Sequence, residues 1–99
     1  MNCDDIWEEM MLAVSNSLSA EPHRKVKHSS GGAGVIIRNG QVFSEYLLKT
    51  KKAYSTVNGC YIPVPLMSED YFRNKVAADY MLRVLESHNI KSIREAYRL

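Results

Sequence analysis

The dipeptide Asn39-Gly40, set between the β-prone runs "AGVIIR" and "QVFSEYLLK", restricts this chain more than any other feature. Asn-Gly best tolerates positive φ at both central positions of a type I′ turn, so the pattern predicts a two-residue hairpin. In that register Arg38 faces Gln41, Ile37 faces Val42 and Val35 faces Ser44. One face, the expected core, then carries Ala33, Val35, Ile37, Val42, Tyr46 and Leu48. The other carries Arg38, Gln41, Glu45, Lys49 and Lys51, with Ile36, Phe43 and Leu47 among them. A second pair, Asn58-Gly59 between "KAYSTV" and "CYIPV", predicts another hairpin by the same turn chemistry. Pro63 and Pro65 cannot donate to a ladder, so its last strand should lie at an edge or end early.

Helical spacing flanks these runs. In "DDIWEEMMLAVSNSLS", Trp7, Met11, Val14 and Leu18 recur on one stripe beside Ile6 and Met10, with acids in the first turn where the helix dipole favours them. A helix is expected from about Asp4 to Ser17, ending in the Ser-rich run before Pro22. Ser68 is the expected N-cap of a second helix whose stripe is Phe72, Val76, Ala77, Tyr80, Met81, Val84, Leu85 and His88. Lys75, Asp79, Arg83 and Glu86 lie opposite, and Asn89 can end that helix in the left-handed conformation. The tail alternates Ile93, Glu95, Tyr97 and Leu99 against Arg94, Ala96 and Arg98, as a strand does. At 99 residues the chain has core enough for one domain, spanning 1–99. The expected fold is α+β in the order α-β-β-β(-β)-α-β: an antiparallel meander of three to four strands extended by the C-terminal strand, with both helices on one face.

The net charge of +2 conceals a division. Residues 1–21 hold Asp4, Asp5, Glu8, Glu9 and Glu21 with no Lys or Arg, whereas residues 24–52 hold Arg24, Lys25, Lys27, Arg38, Lys49, Lys51 and Lys52 against Glu45 alone. Segregated charge bears on partners more than the net value does. The longest uncharged segment is too short to span a bilayer, and the acidic start "MNCDDIWEEMM" is unlike a secretory signal, so no membrane and a cytoplasmic location are expected. Cys3 and Cys60 are expected as free thiols in a reducing compartment.

No catalytic constellation assembles from spacing. The stretch "PHRKVKHSSGGAG" has glycines and cations, but its glycines lead into a strand and its lysines precede them, the reverse of a phosphate cradle. It reads as a basic connecting loop. His23 and His28 are five apart and no C-x-x-C or H-E-x-x-H places two ligands on one element, so no metal is expected. Cys60 follows a turn glycine but has no base near it in sequence and reads as a small apolar strand residue. Glu69, Asp70, Asp79 and Glu86 read as cap and solvated-face residues, and Glu45 and Glu95 as alternating strand positions.

Three runs resemble known families. "MMLAVSNSLS" through "GAGVIIRNGQVFSEY", with "KVAADYMLRVLESHNIKSIREAY", is similar to the opening helix, hairpin, next helix and strand of cytidine-deaminase-like proteins. That family's H-A-E falls on Val76-Ala77-Ala78 here and no P-C-x-x-C follows, so the resemblance implies a degenerate member without activity. The three-strand, helix, strand order also resembles ribonuclease H, whose first-strand aspartate has no counterpart in "GGAGVII". The α-β-β-β-α order is similar to a double-stranded-RNA-binding domain, with only Arg73 and Lys75 where that family's second helix begins with lysines.

The leading expectation is a non-enzymatic protein-binding module without a cofactor, resembling the small motif-free inhibitors or regulators that phages and mobile elements direct at nucleic-acid-handling complexes. Its contact residues would be the acidic turn Asp4, Asp5, Glu8 and Glu9 and the basic set Arg24, Lys25, Lys27, Lys49, Lys51 and Lys52, two surfaces of opposite sign suited to a larger protein or nucleoprotein complex. Direct nucleic-acid binding through the basic loop and hairpin is the alternative, and a degenerate deaminase-like or unrecognised small enzyme the third reading. An exposed edge strand or the Trp7-bearing helix could also make a homodimer.

Overall fold

The computed structural model describes residues 2–20, 31–65 and 70–98. In chain order they form α1 (Cys3–Ala20), β1 (Gly31–Arg38), α2 (Val42–Lys49), β2 (Tyr54–Ser55), β3 (Gly59–Pro63), α3 (Tyr71–Ser87) and β4 (Ser92–Arg98). The strands make one antiparallel sheet in the order β2-β3-β1-β4. The fold is α+β, with the C-terminal strand added to the sheet and helices packed on it. From β1 onward the order is β-α-β-β-α-β, in which β3 and β1 each separate strands that would otherwise pair in parallel, a split β-α-β arrangement.

The hairpin expected at Asn39-Gly40 is not formed. A type I′ turn needs positive φ at both central residues, but here Gly40 takes φ +83° while Asn39 keeps a negative φ. The chain therefore does not fold back on β1; it enters α2, and the expected second strand is a helix. Gln41 is its N-cap, with the Ser44 hydroxyl accepting from the Gln41 N–H at 3.2 Å. Phe43 and Leu47, four apart on one helical face, are buried, whereas Val42 and Leu48 of the expected core face are exposed. Gln41 also fastens a distant turn. Its Oε1 accepts from the Lys91 N–H at 2.7 Å, and its Nε2 donates to the Lys91 and Arg38 carbonyls, each at 2.9 Å.

The second expected hairpin is present, one residue out of step. Ser55 pairs with Cys60, and the Thr56 N–H donates to the Gly59 carbonyl at 2.7 Å, so the tip is Val57-Asn58. β3 ends at Pro63. Because the Val64 N–H donates to Ala33, the alternation of an antiparallel ladder turns the Pro63 nitrogen away from β1, to the side where β2 has no residue.

Both long helices match their stripes, with adjustments. α1 buries Ile6, Met10, Val14 and Ser17 and leaves Trp7 and Met11 half-buried. α3 starts under an Asp70 cap, whose carboxylate accepts from the Phe72 N–H at 2.9 Å; the expected cap Ser68 lies outside the described residues. Ala77, Ala78, Met81 and Leu85 are buried, while Phe72 is exposed. Asn89 ends α3 at φ +58°: its N–H donates to Glu86 and that of Ile90 to Leu85, a Schellman pattern closed by the buried Leu85–Ile90 pair.

The core lies between the helices and one sheet face, built from Ala33, Val35 and Ile37 of β1, Cys60 and Ile62 of β3, and the buried helix residues. α3 lies against β1 and β4, and α1 packs on α3. The opposite face of β1 is largely glycine. A methyl added at Gly32 would collide with the Tyr97 side chain, and one at Gly34 with the Ile62 carbonyl and, at 2.6 Å, the Tyr61 ring. These glycines belong to the strand itself, not to a loop leading into it, and their bareness lets two tyrosine rings lie against the sheet. Gly34→Ala is expected to destabilise by about 2 kcal/mol, as overpacking at an unyielding backbone contact does, read as a lower urea midpoint at unchanged slope.

Candidate functional site

Alternation assigns the residues opposite the core. With Ala33, Val35 and Ile37 inward, the register puts Gly32, Gly34 and Ile36 of β1, Tyr61 and Pro63 of β3, Tyr54 of β2, and Ile93, Glu95 and Tyr97 of β4 on the outward face. Among the described residues no helix covers this face: Tyr54 is 68% exposed, Ile93 52% and Tyr97 49%. Tyr54 and Tyr61 are direct cross-strand neighbours, as are Gly32 and Tyr97. Tyr61 and Tyr97 approach β1 from opposite sides, and Glu95, opposite Gly34, stands between Tyr97 and Ile93 along β4. Burial, the neighbouring Tyr97 and the Glu95 charge push the Tyr61 hydroxyl up from its ordinary pKa, so that phenol stays a neutral donor around neutral pH. The sequence expectations placed Tyr97 on a strand and did not include this face. The signal was the two glycines opposite tyrosine-bearing strands, legible only once the register is known.

The acids are layered. Among the described residues, every carboxylate side chain except Glu95 belongs to a helix or caps one: Asp4, Asp5, Glu8 and Glu9 on α1, Glu45 on α2, Asp79 and Glu86 on α3, and Asp70 at its cap. The outward face has cations at one end instead: exposed Arg38 closes β1, and exposed Lys91, opposite it, precedes β4. Exposed Lys49 is the last residue of α2, and exposed Lys51 follows it. Arg94, on the inward side of β4, is engaged with Asp79 at 2.8 Å.

The expected contact residues are brought together unevenly. Arg24, Lys25 and Lys27, with His23 and His28, lie outside the described residues. Lys52 Nζ sits 5.5 Å from the Trp7 ring, so part of the basic set faces α1 rather than away from it. Two members of the acidic turn have partners inside the fold. Glu9 meets His88 Nε2 at 2.8 Å, and Asp4 accepts from the Tyr46 hydroxyl; Asp5 and Glu8 are exposed. The hydrogen bond to Asp4, then burial and the Asp4 charge, push the Tyr46 hydroxyl up to about 12.

Cys60 is buried on the core side of β3, and burial pushes its thiol up, which disfavours the thiolate a nucleophile needs. Cys3 is half-buried at the start of α1, and both cysteines are free thiols. Among the described residues no three His, Cys, Asp or Glu side chains converge as metal ligands, and no helix is long and apolar enough to cross a membrane. No family model, no curated protein and no solved structure matches the chain.

The Asp4–Tyr46 bond has a pH signature. Because the folded pKa of about 12 exceeds the ordinary 10, the bond's contribution is whole below pH 10 and fades as pH rises to 12. Absorbance titration against Tyr46→Phe is expected to assign one tyrosine step near 12, and Asp4→Ala to return that step toward 10. A Tyr46 step already near 10 in the unaltered chain would count against the bond.

Proposed function

We propose that this chain is a non-enzymatic nucleic-acid-binding module that meets its ligand on the outward face of the sheet. The observation that carries this reading is the separation of chemistry by layer: among the described residues the acids other than Glu95 belong to the helices, while the open face offers tyrosine rings and Ile36 and Ile93 with Arg38 and Lys91 at one end. Phosphate contacts from such cations supply affinity without sequence information, and aromatic rings on an open sheet supply contact to bases. The engaged states of Asp4 and Glu9 weaken the case for α1 as the main surface. The test is a salt titration of binding to single-stranded and duplex oligonucleotides. The logarithm of affinity should fall linearly with the logarithm of salt concentration, and changing Arg38 and Lys91 together to Ala should flatten that slope by about 1–2. No binding to either form at low salt would defeat the reading.

A protein partner is favoured by one separate observation. Leu12 is 62% exposed on α1, one turn beyond exposed Glu8 and two beyond exposed Asp5, which together make an apolar spot with an acidic flank. This surface suits a basic groove on a larger protein or nucleoprotein complex, as an inhibitor or regulator would use. Capture of a defined partner from nuclease-treated host extract should be lost on Leu12→Asp and Glu8→Lys; capture that survives both changes would remove α1 from consideration.

A further inference from the structure

We propose that Tyr61 and Tyr97, lying against Gly32 and Gly34, form a stacking platform for unpaired bases, and that Glu95 beside them selects bases presenting hydrogen-bond donors, guanine first. The inference rests on the nucleic-acid reading above and names its ligand: single-stranded rather than duplex. The two rings fill space that a side chain on β1 would otherwise take, since any Cβ at Gly32 or Gly34 would collide with them. They therefore lie low against the sheet. In a duplex the faces of the bases are already stacked on one another, so a ring on a sheet surface can engage them only where the strand is unpaired.

Charge supplies the complement. Apart from Glu95, no carboxylate among the described residues stands on this face, so a phosphate backbone running along it meets Arg38 and Lys91 at one end and a single acid further along. A lone carboxylate there repels phosphate and would be a defect for pure backbone binding. It is intelligible as a reader. An ionised carboxylate only accepts hydrogen bonds, through two oxygens. Guanine offers it two adjacent donors, N1–H and the 2-amino group. Cytosine and adenine offer one amino group beside an acceptor nitrogen, and uracil one N–H between two carbonyl oxygens that a carboxylate repels. Affinity should therefore fall from guanine through cytosine and adenine to uracil.

The experiment is fluorescence anisotropy of the full chain at low salt, with end-labelled single-stranded oligo(U), a single strand alternating G and U, and a mixed-sequence duplex. The expected order is G-U strand tightest, oligo(U) weaker and duplex weakest. Loss of one stacked base corresponds to about 1–3 kcal/mol, so Tyr97→Leu should weaken the single strands roughly tenfold, while Tyr97→Phe, which keeps the ring, should stay within about twofold. Glu95→Gln, at an exposed position, should narrow the G-U to oligo(U) ratio toward one. Three outcomes would overturn the platform. The first is single-strand binding unaffected by Tyr97→Leu. The second is equal loss in Tyr97→Leu and Tyr97→Phe, and the third a base preference that Glu95→Gln leaves intact. The first would put nucleic-acid binding elsewhere on the chain, the second would make the hydroxyl and not the ring the contact, and the third would remove Glu95 as the reader. Absence of binding to all three probes would defeat the parent reading as well.

Discussion

Everything in this fold is arranged around β1, the one strand paired along both edges for most of its length. A central strand must satisfy two ladders and two faces at once, and Gly31–Arg38 does so with a division of labour visible residue by residue. Ala33, Val35 and Ile37 are completely buried under the helices. Gly32 and Gly34, facing the other way, contribute no side chain and leave that surface to rings supplied by β3 and β4. Glycine inside a strand costs backbone entropy and packing, so two of them at the centre of a sheet need a compensating contact; the Tyr61 and Tyr97 rings provide it.

Much of the architecture was legible in the chain because several local signals agreed with one another. The helical period of α1, the left-handed Asn89, the proline stop after β3 and the alternating C-terminal strand each rest on short-range sterics or periodicity, and tertiary packing preserved them, although α1 buries Ile6, Met10, Val14 and Ser17 where Trp7 and Met11 were expected. The segment 42–49 departs from the expected strand for a physical reason. "VFSEYLLK" supports either period: taken two at a time it alternates acceptably, taken four at a time it joins Phe43 to Leu47. The Asn39-Gly40 pair favours a hairpin turn and hence a strand, but a preference is not a requirement. Asn39 avoided positive φ, and the helix won with Phe43 and Leu47 filling the core.

The candidate surface was much less legible than the fold. Charged residues declare themselves in a sequence, and they drew attention to α1 and to the basic loop. The tyrosine face depends on register, since which of two alternating sets faces water is decided by the partner strands. Ile93 and Tyr97 look like ordinary strand apolar residues until β1 is known to be their neighbour, and Tyr54 until β2 is known to stop after two residues. Among the described residues, folding thus converted a charge asymmetry along the chain into one between layers, with the other acids on the helices or their caps and a single carboxylate on the open face.

The pairing of β1 with β4 also orders events in time. Gly31 meets Arg98 and Ile37 meets Ser92, so the strand at the centre of the sheet waits for the last described strand to complete one of its edges. During synthesis, β1, α2 and the β2–β3 hairpin emerge and can dock while that edge still presents open amides and carbonyls, flanked by Val35 and Ile37. A chain paused at this stage is a half-sheet with a free seam, the kind of species that invites strand exchange with a neighbour and the attention of chaperones. The Gln41 amide, made long before Lys91, holds the turn that leads into β4 once that turn arrives.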